Sequence, residues 1–98
     1  MMIALHSVYL KPLEEVDKHL PAHRAFLKDL YTTGICICSG PQIPRTGGFI
    51  LMNLPGKPEA LDVMANDPYV IHGVAVYAAI EFDPRSYAPG FEKFLPKV

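Results

Sequence analysis

The sequence predicts a single α+β domain built on an antiparallel sheet. Four apolar runs rich in β-branched and aromatic residues are each closed by proline, glycine or an Asp-Pro pair. Between the first two lies a long segment whose apolar residues follow a helical period. The length, 98 residues, accommodates one modest core and no second domain. Half of the residues are hydrophobic and 19% are charged, which excludes disorder as the ground state. Nine Lys and Arg against ten Asp and Glu leave a net charge of -1 with no basic block, so no nucleic-acid surface is expected. No apolar run approaches the roughly 18 residues of a membrane helix, and the N-terminus lacks the basic region of a secretory signal. A cytoplasmic protein that uses neither membrane nor nucleic acid is the expectation.

The elements follow in order. Residues 2–10 form a first strand, stopped by Lys11-Pro12. Residues 12–33 turn helical: Val16, Leu20, His23, Leu27 and Leu30 recur at spacings that place them on one face, with Asp17, Arg24 and Lys28 opposite. Pro21 either kinks this helix or opens its main segment, and Gly34 stops it. Residues 35–39 are a short strand ending at Gly40-Pro41, Arg45-Thr46-Gly47-Gly48 is a turn, and residues 49–54 are a third strand broken by Pro55-Gly56. A second helix over 58–66 has Leu61, Met64 and Ala65 on its inner face. Asp67 caps a single helical turn that starts at Pro68 and stops at Gly73. Residues 74–82 are the fourth strand, and residues 84–98, with Tyr87, Phe91, Phe94 and Leu95, form a tail that packs on the domain.

The order strand, helix, strand, strand, helix, strand matches the ferredoxin-like, split βαβ plan, with two helices on one face of the sheet. The fourth strand then poses a question. Val74, Val76, Ala78, Ile80 and Phe82 point one way and Ala75, Tyr77 and Ala79 the other, so both faces are apolar. Two helices cover one face only, and a sheet open to water should alternate with polar residues. The second face is therefore expected to meet a second copy of the chain, with the aromatic tail as the competing cover. A mean hydropathy of +0.17 agrees with a homodimer.

Cys36 and Cys38 are expected to point to one face of a strand as two reduced, buried small hydrophobes, since a bridge between them would be strained. Among the four histidines, His6 and His72 read as structural or exposed. His23 interrupts the apolar helix face, where a buried imidazole needs partners; it is either a core histidine bonded to a carbonyl or a functional base. His19, four residues earlier, offers a metal pair, but no Glu stands at general-base spacing, so no metal site is expected. Asp67 is either only a helix cap or also a carboxylate that meets a histidine. Ser39-Gly40-Pro41 and Arg45 to Gly48 bracket the central connection, where backbone N–H groups near Gly40 or Gly48 could hold an oxyanion and Arg45 could grip a carboxylate.

Taken together, Pro21-Ala22-His23-Arg24-Ala25-Phe26-Leu27, Gly34 through Ser39-Gly40-Pro41, Thr46-Gly47-Gly48, and Asn66-Asp67-Pro68-Tyr69-Val70 followed by Gly73 resemble the YCII-related family, in that family's order and from the first strand through the fourth. The resemblance implies one domain over residues 1–98 with the dimeric α+β barrel fold, and a pocket with a His-Asp dyad that falls on His23 and Asp67. Ser39, Gly40, Pro41, Gly48 and Tyr69 match the pocket rim. It further implies kinship with enzymes of aromatic-ring breakdown, dehydrochlorinases among them.

The expectation is a cofactor-free enzyme, a lyase or isomerase, that moves a proton on a small oxygenated or aromatic metabolite. His23 and Asp67 are its catalytic residues. Ser39, Gly40, Pro41, Arg45, Gly48, Phe49 and Tyr69 bind the ligand, with Tyr69 and Phe49 as apolar walls. Its partners are a small-molecule ligand and a second copy of itself, with higher oligomers open. The alternative is a non-catalytic binding or accessory dimer that uses the same pocket.

Overall fold

The structure, a computed structural model, describes residues 1–95; the last three residues of the expected tail, 96–98, lie outside the described residues. Strand β1 (Met2–Tyr9) leads into α1 (Leu13–Asp17) and α2 (Leu20–Thr32), followed by the hairpin of β2 (Cys36–Pro41) and β3 (Gly47–Asn53). Then come α3 (Lys57–Met64), α4 (Pro68–Ile71), β4 (Ala75–Phe82) and a 3-10 turn, Phe91–Phe94. The sheet order is β2-β3-β1-β4 with every pair antiparallel, so β3 lies between β1 and β2 as the split βαβ plan requires.

The long helix is two. Pro21 has no N–H to donate to the Asp17 carbonyl, so α1 ends there and α2 restarts with Pro21 in its first turn. Gly34 closes α2 at φ 82° and Gly73 closes α4 at φ 67°, both in the left-handed region that favours glycine. On one face of the sheet, Leu27 of α2 and Ala60 and Met64 of α3 bury against Ile3, Leu5, Ile50, Met52 and Ala79. A second cluster of Val16, Tyr69, Val74 and Ala75, with Tyr9 and Leu20 alongside, continues that layer towards α4.

Three details depart from the sequence reading. In α3 the inner face is Ala60 and Met64, while Leu61 and Ala65 are exposed. The helix starts one residue earlier than expected, at Lys57, and its small Ala60 lets it sit close to the sheet. β2 runs on to Pro41 and β3 starts at Gly47, so the glycine pair belongs to a strand rather than to a turn. Finally, the β2–β3 register shifts between Cys36, opposite Met52, and Cys38, opposite Leu51. This bulge turns the two cysteines to opposite faces, leaving Cys36 buried and Cys38 exposed.

The other face of the sheet is open. Val8, Phe49, Val76 and Ile80 lie there by register, at 46%, 52%, 50% and 67% exposure. Among the described residues, the tail meets the sheet at Asn53, whose Nδ2 donates to the Phe94 carbonyl at 2.7 Å.

β3 leaves no room for a side chain at Gly47: a Cβ there would lie 1.8 Å from the Ser7 carbonyl oxygen of β1. Gly34, by contrast, has nothing within 4 Å of an added Cβ. Gly47→Ala is therefore expected to cost about 3 kcal/mol or more by forcing central strands apart, and Gly34→Ala about 1–2 kcal/mol of backbone strain. Urea unfolding of both variants measures the difference; equal losses would show that the strands adjust freely.

Candidate functional site

Asp67 is fully buried, and its carboxylate is satisfied from three elements. Its Oδ1 accepts the Tyr69 backbone N–H at 3.1 Å, the N-cap bond that starts α4. The same oxygen lies 2.8 Å from His23 Nδ1 of α2. Its Oδ2 accepts the Tyr77 hydroxyl of β4 at 2.8 Å. Pro68 fixes the backbone as it enters the turn, so the cap and the contact to His23 are made by one rigid carboxylate.

The His23 ring lies flat on Tyr69, with centroids 3.9 Å apart and planes 4° from parallel. Tyr69 in turn meets Tyr9 edge-on at 6.0 Å. In a neutral imidazole, a proton on Nδ1 facing the carboxylate leaves the lone pair on Nε2. The imidazole opens on a cleft of about 450 Å³ between α2, α4, the helix-side face of the sheet and the β2–β3 hairpin.

The seven residues expected to bind ligand all border this cleft. Ser39, Gly40, Pro41 and Gly48 form one side, and Ser39 is hydrogen-bonded to Tyr31 at the end of α2. Arg45 sits 5.7 Å over the Tyr9 ring and pairs with Asp17 at 2.5 Å. Tyr69 is wall, as expected, but Phe49 is half exposed and stacks on His6 at 4.6 Å on the sheet's open face, so it borders the cleft from outside. The Gly48 N–H is not available to an oxyanion: it donates to Ser7 Oγ at 2.8 Å. His6 Nε2 pairs with the Gln42 side-chain oxygen at 2.9 Å. His19 stacks on His72, 4.1 Å away, and among the described residues no group of three or more His, Cys, Asp and Glu gathers to hold a metal.

Sequence reasoning missed Tyr77, Tyr9, Ser7 and Arg24, all of which line the cleft. Tyr77 had a legible signal, being the only polar side chain on the inner face of β4 between Ala75 and Ala79. Tyr9 and Ser7 share the corresponding face of β1.

Burial, reinforced by the Asp67 carboxylate, holds the Tyr77 phenol protonated well above the ordinary tyrosine value. Burial also pushes Tyr69 and Cys36 up to about 12. All three favour the folded state as neutral groups. The unfolded chain releases their protons at about pH 8.5–10, so this stability is complete below that range and is lost progressively as pH rises from there to the folded values, about 12 for Tyr69 and Cys36. Tyr77→Phe should lower the neutral-pH stability by about 1.5–3 kcal/mol, the usual worth of a hydrogen bond to a charged group. It should also flatten the alkaline limb by up to about 1.4 kcal/mol per pH unit. Denaturant unfolding from pH 7 upwards reads both; an unchanged limb would show that the phenol titrates alike in both states.

Comparison with known proteins agrees with this architecture. The YCII-related domain profile matches residues 1–83. Among curated proteins, none matches. Among solved structures, 5-chloro-2-hydroxyhydroquinone dehydrochlorinase (TftG) from Burkholderia phenoliruptrix AC1100, in complex with 2,5-dihydroxybenzoquinone, superposes with a TM-score of 0.72 at 20% identity, over 85% of this chain and 94% of that one. An antibiotic biosynthesis monooxygenase superposes with a TM-score of 0.53 at 14% identity, over 86% of this chain and 100% of that one. At such identities the likeness is one of fold, the ferredoxin-like protomer of the dimeric α+β barrel type. With the profile covering all four strands and the four helices between them, the chain belongs to the YCII-related family.

Proposed function

We propose that this protein is a cofactor-free lyase or isomerase that moves a proton on a small oxygenated or aromatic metabolite, with His23 as base and acid and Asp67 as its orienting partner. The observation that carries the reading is the 2.8 Å contact from a fully buried carboxylate to Nδ1 of an imidazole that opens on a cleft. Asp67 fixes the tautomer that leaves Nε2 basic. Nε2 takes a proton from a carbon next to a carbonyl, and the C–H electron pair moves onto the carbonyl oxygen as an enolate. The enolate then expels a leaving group from the neighbouring carbon or takes the proton back from Nε2 at a different carbon. Asp67 stabilises the imidazolium between the two steps. The fold shared with a dehydrochlorinase supports the elimination branch. Two free cysteines agree with a reducing cytoplasmic setting.

The test screens hydroxylated and chlorinated quinols, 5-chloro-2-hydroxyhydroquinone included, for turnover by absorbance. His23→Gln should lower turnover by about 10²–10⁴-fold, and Asp67→Asn should lower kcat while leaving ligand binding in place. In parallel, ¹⁵N NMR of the His23 ring should show the proton on Nδ1 in wild type and lose that preference in Asp67→Asn. Unchanged turnover in His23→Gln would overturn the catalytic assignment. An Nδ1-protonated ring with tight ligand retention and no turnover would instead establish a binding module.

We also infer that the protein is a homodimer through the open face of its sheet. Val8, Val76 and Ile80 form an apolar surface there that stays exposed among the described residues. Ile80→Glu should convert the dimer to a monomer at micromolar concentration while preserving the ¹⁵N signature of His23, read by light scattering and NMR. A wild-type chain that sediments as a monomer would overturn the inference.

A further inference from the structure

The cleft wall is unevenly charged. Among the described residues lining it, Arg24 and Arg45 carry permanent positive charge and there is no Asp or Glu. Two carboxylates lie nearby: Asp67 stands behind His23 with both oxygens engaged, and Asp17 pairs with Arg45 from outside the lining. Arg24 makes no ion pair with any described residue. Arg45 spends one terminal nitrogen, Nη2, on Asp17 across a half-exposed contact, and the other N–H donors of its fork stand close to the Tyr9 and Tyr69 hydroxyls.

A second feature lies at the same corner. The Tyr69 ring is 2% exposed, and its buried hydroxyl, close to the Arg45 guanidinium, makes no well-formed hydrogen bond among the described residues. A buried donor left unpaired costs about 1–3 kcal/mol, and it stands on the wall where Tyr9 carries Arg45. Arg45, Tyr9, Tyr69 and His23 thus follow one another in contact, from a cation at one end to a base at the other. The walls between them are aromatic and flat.

We propose that the cleft selects a planar monocarboxylate, with the carboxylate gripped by the Arg45 fork under the field of Arg24 and the ring laid along the Tyr9–Tyr69 wall towards His23. This rests on the reading that the cleft is the substrate site and adds to it the class of substrate. A guanidinium fork matches a carboxylate in geometry as well as charge, which a point charge does not.

The test uses an isosteric pair of probes, 2,5-dihydroxybenzoate and 2,5-dihydroxybenzamide, titrated into the full chain and followed by NMR at Ser39, Gly40 and Tyr69. The carboxylate should bind about tenfold or more tightly than the amide, with the preference growing as salt is lowered. Arg45→Gln should abolish most of the preference and Arg24→Gln reduce it about threefold, while Arg45→Lys keeps the charge, loses the fork and falls in between. The Arg45–Asp17 contact is part-exposed, so these variants should fold. Equal binding of the two probes, a preference that survives Arg45→Gln, shifts confined to another surface, or no saturable binding of the benzoate would each overturn the proposal. His23→Gln should keep the preference for the carboxylate, so failure of the proton-transfer assignment shows in turnover and failure of this one shows in binding.

Discussion

A carboxylate with no solvent contact would cost several kcal/mol if it stood alone, and Asp67 is such a group. Its burial is possible because three donors converge on it: the Tyr69 amide of α4, His23 of α2 and the Tyr77 hydroxyl of β4. Each comes from a different element, so the carboxylate fixes the relative positions of all three. If α2 were to slide by one turn, His23 would leave; if α4 were to unwind, the amide would leave. Either loss leaves a buried carboxylate short of a donor, which is the expensive direction. The Pro21 break, which lets α2 start afresh at its own angle, and the Gly73 stop, which turns the chain straight back into β4, both serve this meeting point.

The stacking of His23 on Tyr69 follows from the same constraint. Once the carboxylate sets the height of α4, Tyr69 can only lie flat beneath the imidazole, where it blocks one ring face and leaves Nε2 as the free atom. The ring is thereby held in orientation by Asp67 and in plane by Tyr69. A base used for proton transfer has to be fixed in both respects, since misplacement of a reacting group by an ångström is costly in rate.

How far the site was legible in the sequence depends on the length scale of each signal. Helical period placed His23 on the inner face with Val16, Leu20, Leu27 and Leu30, and the Asp-Pro pair marked the cap, because both signals are local. The ferredoxin-like order followed from element order and proline punctuation, and the alternation in β4 identified the open face from Val76 onwards, whereas Val74, expected on that face, precedes the strand and is buried with Val16 and Tyr69. What failed was register. One extra residue between Cys36 and Cys38 reverses the facing of everything after it, and nothing in Ile-Cys-Ile-Cys announces a bulge. The inner face of α3 was misjudged for a related reason: in a two-turn helix, Leu61 looks like core until Ala60 is seen to allow close contact with the sheet. The partnership between Asp67 and His23 spans 44 residues. No periodicity reaches so far; family resemblance supplied that pairing.

The division of β4 shows why one short strand has to meet two demands. Its inner residues are Ala75, Tyr77 and Ala79, small where α3 and α4 pack and hydroxylated only where Asp67 needs a donor. Its outer residues, Val76, Ala78, Ile80 and Phe82, are apolar and left open. Because side chains alternate along a strand, a slip of one residue would send Tyr77 out of the site and Val76 into it, ending both functions together. Antiparallel pairing with β1 along its whole length, from Met2 opposite Phe82 to Tyr9 opposite Ala75, is what forbids the slip. The strand that completes the Asp67 cluster is therefore the one whose other side offers the apolar surface. An interface on the open face would stabilise the register of β4 and, through Tyr77, the orientation of the carboxylate beneath His23.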